Sequence, residues 1–587
     1  MNDSRHMASS PIHRRVGVVG SIMVLAIMAG LVALIGRVVQ LQVRPASRIA
    51  ARIDSQHSRV SLTARRGVIF DRHGRVLAAS RMAKLLFVDP QLIEDPNTFS
   101  ENLAYRLGDD PAMIEQKVSR RWDRRWAPID RYLNQERIEK LKGSSWRAVG
   151  VQDWSTRDYP NGHRAGQLIG FVGRDHHGLE GLELILEKEL TGSAGRIRYV
   201  RDAGGRPLWI SDNDYSPPVN GKGIRTTIDL TIQSLAEQAL ERSCREFRAR
   251  SGQLIVLDAR AGDILAMANY PFFDPNQRSL SRPAVRRNRS VTDAFEPGSI
   301  FKPFVWSSAV EVQVGRPGEM IDCTEAGYYV SPQGRRLRDT RGHGKVSLAE
   351  VLVKSSNIGM AIIGQRMGAA DLHDAVRAFG FGDVTHCELP GESRGIVHPL
   401  RQWNHYSVTS VPMGQEISAT PIQLVRAFTV FANHGQMVQP RIRLPNQDID
   451  VAPTLKPVIS ESTALLCQEV LRRVVTEGTG SRANSDQYLI FGKTGTAQIA
   501  DRKSGGYLKD QYVASFLCGA PFEQPRIVVG CFIHRPLKSL GYYGGTVAAP
   551  AARRVVEQTL AYLGVPPVRS ETREDAQLAH HEIRSTE

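Results

Sequence analysis

The chain has 587 residues, of which 41% are hydrophobic and 23% charged, so it is neither a single ordinary core nor a disordered polymer. Its formal net charge is +16, but 62 of the 76 basic residues are arginine and only 14 are lysine. That skew reads as composition, and no basic run with interleaved aromatics marks a nucleic-acid surface.

Residues 1–15 form a short polar tail. Residues 16–36 carry no charge and are bracketed by Arg14, Arg15 and Arg37. As a helix they reach about 31 Å, the hydrocarbon thickness of a bilayer. The run exceeds the ~7–15 apolar residues of a cleavable signal, so it predicts an uncleaved anchor. Arginines on both sides leave its orientation open. No second span is expected, which puts the remaining mass on one side of the membrane.

Residues 37–60 read as a helical stalk. Between Arg66 and Ala78, apolar alternation around His73-Gly74 predicts a hairpin. Residues 85–150 mix helical stretches with loops, and Arg120, Arg121, Arg124 and Arg125 read as a solvated helix face. Residues 178–190 predict an amphipathic helix stopped by Gly192, and 197–228 return to strand. Pro217, Pro218, Gly221 and Gly223 mark a domain boundary. Beyond it the pattern predicts a helix over 230–250 and a hairpin pairing 252–257 with 264–269. Helical periodicity comes next over 299–314, 347–378 and 420–434, then a strand-rich region from 488 to about 533, then a helix over 548–563. This order predicts an α+β multidomain chain whose C-terminal domain is a mixed sheet covered by helices. Residues 566–587 are polar and read as a disordered tail. The six cysteines are scattered and no His-Glu-x-x-His is present, so neither a metal nor a cofactor is expected.

The chemistry concentrates in three motifs. In Phe295-Glu296-Pro297-Gly298-Ser299-Ile300-Phe301-Lys302, Pro-Gly halts one segment and an apolar helical run begins. Ser299 then sits at a helix N-terminus with Lys302 one turn on, on the same face. A serine hydroxyl needs a base, and a lysine can serve if burial lowers its pKa. The helix N-terminus offers free N–H groups to a developing oxyanion. Alone, Ser-x-x-Lys is as easily a helix cap beside an exposed lysine. Its companions change that reading. Ser-x-Asn occurs at Ser100-Glu101-Asn102, Ser211-Asp212-Asn213 and Ser355-Ser356-Asn357, and Lys-Thr-Gly occurs once, at Lys493-Thr494-Gly495. Ser211-Asp212-Asn213 precedes the nucleophile across the domain boundary, whereas Ser355-Ser356-Asn357 comes after it and opens an apolar helix, so the latter is selected. A nucleotide P-loop at Gly492-Lys493-Thr494 fails because position 487 is Gln. Lys493 ends the apolar run 488–491, and the Lys-Thr-Gly-Thr edge offers a cation and hydroxyls to a carboxylate.

Ser-x-x-Lys, Ser-x-Asn and Lys-Thr-Gly together form the motif set of penicillin-binding proteins and class A β-lactamases. The chain resembles the class B penicillin-binding proteins over nearly all its length after the anchor. Further matches are Arg66-Gly67 to Ala78, Gly178 to Gly195, Asp258 to Asn276, Asn288-Arg289 and Gly414-Gln415-Glu416 to Pro421. Tyr512-Val513-Ala514-Ser515-Phe516 and Tyr543-Gly544-Gly545 to Pro550 resemble the division-specific, FtsI-like branch. The resemblance implies a cytoplasmic tail over 1–15, a transmembrane anchor over 16–36 and a stalk over 37–60. It further implies a pedestal (dimerisation-like) domain over 61–220 and a β-lactamase-like transpeptidase domain over 221–565. The implied substrate is a peptidoglycan stem peptide ending in D-Ala-D-Ala. Ser299 would attack it, Lys302 would be the base, Ser355 would relay a proton and Asn357 would orient Lys302. Lys493, Thr494, Gly495 and Thr496 would bind the terminal carboxylate, and β-lactams would trap Ser299. The implied place is the inner membrane with residues 37–587 periplasmic. The implied partners are a SEDS-family membrane glycosyltransferase and other division proteins, without nucleic acid. An elongation-type enzyme and a β-lactam-binding division scaffold are the alternatives.

Overall fold

The computed structural model describes residues 11–43, 57–142, 146–173, 175–201, 207–209, 214–445, 452–501 and 504–568. The first ten residues, stalk residues 44–56, Ser211-Asp212-Asn213 and tail residues 569–587 lie outside the described residues. The chain divides into two compact units, one of residues 1–64 with 193–219 and one of 65–192 with 220–587.

The first unit holds the anchor. Pro11–Val43 is one 33-residue helix, longer at both ends than the uncharged 16–36. It is the one helix among the described residues long and apolar enough to cross a membrane. The same unit contains a small antiparallel sheet. His57–Leu62 pairs along its length with Gly195–Arg201, with Val60 opposite Ile197. Residues 57–60, expected at the end of a helical stalk, are therefore strand. The distant partner strand satisfies their backbone groups.

In the second unit the expected hairpin forms between Ile69–Phe70 and Val76–Val88. Its turn is closed by Asp71, whose carboxylate accepts from the N–H groups of His73 (2.9 Å) and Arg75 (2.8 Å). The second strand runs for 13 residues and pairs with Val149–Asp158 and Ala127–Leu133. Residues 85–150 thus hold more strand than their periodicity indicates. The helices Pro96–Leu107 and Pro111–Ser119 begin at Asp95 and Asp110, whose side chains cap their first N–H groups. Leu103, Ile114 and Val118 pack onto Leu86 and Ile129 in a small separate core. Arg120, Arg124 and Arg125 are exposed, but they lie in the turn after Ser119 and not on a helix.

The segment 178–190 is a short strand followed by two short helices, Gly181–Ile185 and Glu187–Leu190, broken at Leu186. The break has a local cause. Arg66 Nη2 donates to the Glu183 carbonyl (2.7 Å), the acceptor that a continuous helix would offer to Glu187 N–H. The Glu183 carboxylate is completely buried between Arg66 Nε and Arg157 Nε, both at 2.6 Å.

The largest core forms around a five-stranded sheet ordered Ile264–Tyr270, Ser251–Asp258, Ile527–His534, Tyr507–Ala520 and Phe491–Ala500. All its pairings are antiparallel. Leu254, Val256, Phe516 and Cys531 face the helices Leu230–Glu246 and Ala549–Tyr562. Ile255, Leu257, Leu517 and Phe532 face the other way, into a core shared with Lys302–Glu311, Asn357–Ala378, Pro421–Phe428 and Glu461–Thr476. Two-sided burial explains why these strands read as continuous apolar runs. Phe491–Ala500 is the edge strand, and it begins at the end of the apolar run expected to form it. Tyr488 and Ile490 are core residues before it, and Lys493 is its third residue.

Glu183→Leu is expected to cost about 3–5 kcal/mol, because it leaves the buried Arg157 without a carboxylate and Arg66 with Glu187 alone. Asp153→Ala, which removes the exposed Lys84–Asp153 pair, is expected to cost less than about 1 kcal/mol. Urea unfolding of the full chain followed by fluorescence would measure both, and equal effects would contradict the burial argument.

Candidate active site

Ser299 lies in the tight turn Gly298–Phe301, and Lys302 is the first residue of the helix that succeeds it. Gly298 takes φ +59° and its N–H donates to Gly414 O at 3.1 Å, which fixes the entry to the turn. Phe301, Phe304 and Phe381 pack ring against ring beneath it, at centroid distances of 4.9–5.5 Å. Lys302 is completely buried.

Lys302 Nζ contacts Ser355 O at 2.6 Å, Ser355 Oγ at 3.2 Å and Asn357 Oδ1 at 2.8 Å. Lys493 Nζ reaches the same Ser355 Oγ at 2.9 Å and is also fully buried. Burial pulls Lys302 down to about 7, and burial together with the nearby Lys302 holds Lys493 well below the ordinary lysine range. As a free amine Lys302 has two N–H bonds and a lone pair, so the Ser355 hydroxyl can donate the third contact. Among the described residues Ser299 Oγ makes no hydrogen bond, so Lys302 is held by the Ser355–Asn357 segment and not by its motif partner.

That segment is itself constrained. Ser355 sits at φ +59°, a left-handed conformation that a non-glycine residue adopts at a cost. Asp339, outside every motif, holds the three residues after Ser355. Its carboxylate accepts from Ser356 Oγ and Asn357 N–H, both at 2.5 Å, and from Ile358 N–H at 3.4 Å. A carboxylate at this position also complements the start of the Asn357–Ala378 helix.

The edge strand forms the facing wall. A Cβ on Gly495 would meet Ile300 Cγ2 at 2.8 Å and Ile300 N at 3.2 Å, so only glycine lets the strand lie against the nucleophile turn. Thr494 Oγ1 is 2.5 Å from Thr479 Oγ1, and Thr496 Oγ1 accepts from Gly544 N–H at 3.1 Å. Ser299, Ser355, Asn357, Thr494, Gly495 and Thr496 all line one cleft of about 680 Å³. The buried Lys302 and Lys493 reach it through Ser355.

The cleft therefore gathers Ser299, Lys302, Ser355, Asn357, Lys493, Thr494, Gly495 and Thr496. Ser100-Glu101-Asn102 belongs to the Pro96–Leu107 helix, in a separate core. The motifs do not reveal Asp339, Glu296 or the tyrosines 507, 512, 542 and 543 that also line the cleft. Tyr512 and Tyr543 stand out in the sequence only through family resemblance; their rings stack with Tyr542 at 4.6 and 4.2 Å. Among the described residues no group of three or more His, Cys, Asp or Glu is gathered as a metal site requires.

Residues 252–557 match the penicillin binding protein transpeptidase domain, and residues 61–226 match the penicillin-binding protein dimerisation domain. The chain is 32% identical to stage V sporulation protein D of Bacillus subtilis, over 88% of this chain and 81% of that protein. It is 30% identical to peptidoglycan D,D-transpeptidase FtsI of Escherichia coli, over 92% and 91% of the two chains. A crystal structure of penicillin binding protein 3 from Mycobacterium tuberculosis, complexed with aztreonam, superposes with a TM-score of 0.67 at 27% identity. That match covers 87% of this chain and 98% of that one.

Asp339→Ala is expected to slow covalent labelling by penicillin roughly 10–100-fold, because a small misplacement of the Ser355–Asn357 segment costs that much. Stopped-flow acylation would measure it, and a rate within twofold of wild type would show that the segment holds without Asp339.

Proposed function

The chain belongs to the class B penicillin-binding proteins, on the FtsI-like side of that family, and from this premise we propose how its residues carry out D,D-transpeptidation. The observation that carries the proposal is the buried Lys302 amine, held on Ser355 and Asn357 three residues from Ser299 in a cleft walled by Lys493-Thr494-Gly495-Thr496.

A stem peptide ending in D-Ala-D-Ala lies along the edge strand. Its terminal carboxylate binds Thr494, Thr496 and the Lys493 side, with Gly495 keeping the strand close. Two buried amines sharing one hydroxyl cannot both stay charged cheaply. The arriving carboxylate supplies the missing negative charge, so Lys493 can be protonated while Lys302 remains a free base. Lys302 takes the Ser299 proton, and contacts of this kind tighten when substrate binds. Ser299 Oγ attacks the penultimate D-Ala carbonyl, with backbone N–H groups of Ser299 and Thr496 stabilising the oxyanion. Ser355, bonded to both amines, relays a proton to the leaving D-Ala nitrogen. Asn357 keeps Lys302 aimed. The amine of a second stem then attacks the acyl-serine and forms the cross-link. β-Lactams acylate the same serine.

The wider reading rests on the family and the anchor. Residues 16–36 are the membrane span, 61–220 the pedestal and 221–565 the transpeptidase domain. The cleft acts outside the cytoplasmic membrane, in septal wall synthesis, beside a SEDS-family glycosyltransferase that supplies the glycan.

Ser299→Ala is expected to abolish labelling of the full chain by fluorescent penicillin, while thermal stability changes by less than about 1 kcal/mol, because among the described residues its hydroxyl has no hydrogen bond to lose. Retained labelling would refute the nucleophile. The pH dependence comes from Lys302. Burial lowers its pKa, so the reactive free base is depleted below about pH 7 and fully present above it. The acylation rate should rise through about pH 7 and then level. A rising limb near the ordinary lysine value, or none, would remove Lys302 as the base.

A further inference from the structure

Ser299 and the carboxylate-binding strand account for one of the two substrates. The second, the acyl acceptor, is an amine that arrives as an ammonium ion, and the cleft carries one carboxylate suited to it. Only Glu296 and Asp339 among the cleft-lining residues are acidic. Asp339 is used up by the hydroxyl and two N–H groups at the start of the Asn357–Ala378 helix. Glu296 has neutral partners only: Oε2 accepts from Tyr507 OH at 2.9 Å and Oε1 from Glu416 N–H at 3.0 Å.

Three cations lie on or beside the cleft, Arg335, Lys354 and Arg482, and among the described residues none of them pairs with Glu296. Arg335 donates to Tyr406 O (3.2 Å), Thr409 Oγ1 (3.0 Å), Ser410 Oγ and Gln415 Oε1 (3.4 Å). Lys354 pairs with Glu350 at 2.9 Å. The neighbouring acid Glu416 accepts from Ser407 Oγ at 2.7 Å. Among the described residues Glu296 therefore has no ion-pair partner. Burial, with Glu416 beside it, raises its carboxyl above the ordinary range, as expected of a negative charge that its surroundings leave uncompensated.

Its position suits an acceptor. It stands three positions before Ser299, so their Cα atoms lie within about 11 Å. Its partners fix it from two sides, since Tyr507 opens the strand next to the edge strand and Glu416 comes directly after Gly414-Gln415 on the cleft rim.

We propose that Glu296, braced by Tyr507 and the Glu416 N–H, is the subsite that recognises the cationic primary amine of the acyl acceptor. The inference rests on the acyl-serine reading of the cleft. In the step it serves, the acceptor N–C bond forms and the Ser299 Oγ–C bond breaks. One ammonium proton leaves to solvent and a second ends on Ser299 Oγ. Glu296 is thus a specificity-determining residue for the second half-reaction and has no part in the first.

The test uses the detergent-solubilised full chain with an N-acyl-D-alanyl thioester as donor. Two acceptors compete with water: D-alaninamide, which is cationic, and methanol, which is not. Products are separated by mass. Glu296→Gln keeps an acceptor oxygen at the site but no charge. It is expected to lower the ratio of aminolysis to hydrolysis about tenfold or more, the scale of a charge-assisted contact, with the methanolysis ratio tracking water. In the wild type, raising ionic strength to about 0.5 M should lower the amine ratio and spare the methanol ratio, because screening acts on the charge alone. Equal falls for amine and methanol in the variant, or a salt-independent amine ratio in the wild type, would overturn the amine subsite. Failure of the thioester to acylate wild-type Ser299 would instead overturn the acyl-serine reading beneath it.

Discussion

Two buried lysines meet on one hydroxyl, and the rest of the catalytic domain is arranged around that meeting. Lys302 and Lys493 come from opposite sides of the cleft and both reach Ser355 Oγ, at 3.2 and 2.9 Å. Neither has a carboxylate in contact among the described residues. Burying two ammonium groups so close together costs more than the nearby Asp339 charge returns, so the amines give up protons instead. A base is thereby made at neutral pH out of a residue that in water would be fully protonated. The same deficit of negative charge makes the cleft receptive to a peptide carboxylate. Activation of the nucleophile and recognition of the substrate have one electrostatic origin.

Holding this arrangement needs rigid surroundings, because a small rotation of Ser355 would separate the amines from their shared partner. The strained backbone at Ser355 is secured by Asp339, which grips the next three residues through a hydroxyl and two N–H groups. On the other wall, Gly495 allows the edge strand to touch the nucleophile turn. A Cβ on Gly544 would in turn meet Gly495 O at 2.3 Å, so a second glycine backs the first. Packed phenylalanine rings at 301, 304 and 381 stiffen the nucleophile turn and the start of its helix. Each of these parts is ordinary packing or hydrogen bonding. Their joint effect is a cleft in which Lys302 is already a free base before substrate arrives, which is what preorganised catalysis requires.

Much of this is legible in the sequence, and the reasons differ for the parts that are not. The three motifs identify themselves by chemistry and spacing, and the five-stranded sheet and its helices emerge from long apolar patterns. Asp339 escapes notice because its role lies in hydrogen bonds to a segment seventeen residues away, which leave no local signature. Glu296 stands in plain view beside Pro-Gly, but its lack of a counter-ion exists only in three dimensions. The helix over 178–190 carries the right period, yet Arg66, more than a hundred residues away, takes the carbonyl needed to continue it. Residues 57–60 become strand through a partner far along the chain. The edge strand starts a few residues later than its apolar run suggests, because buried coil and buried strand look alike in composition. In each case a tertiary contact overrides a local preference.

The central claim is that Lys302 is a free amine near neutral pH. Because the chain has only 14 lysines, it can be tested directly. The solubilised full chain, carrying lysine labelled with 13C at Cε, would be titrated by NMR from about pH 5 to 11, with Lys302→Arg assigning the resonance. The account predicts one signal with a midpoint near 7 that is missing from the variant. A Lys302 signal that titrates with the exposed lysines, near the ordinary value of about 10.4, would contradict it.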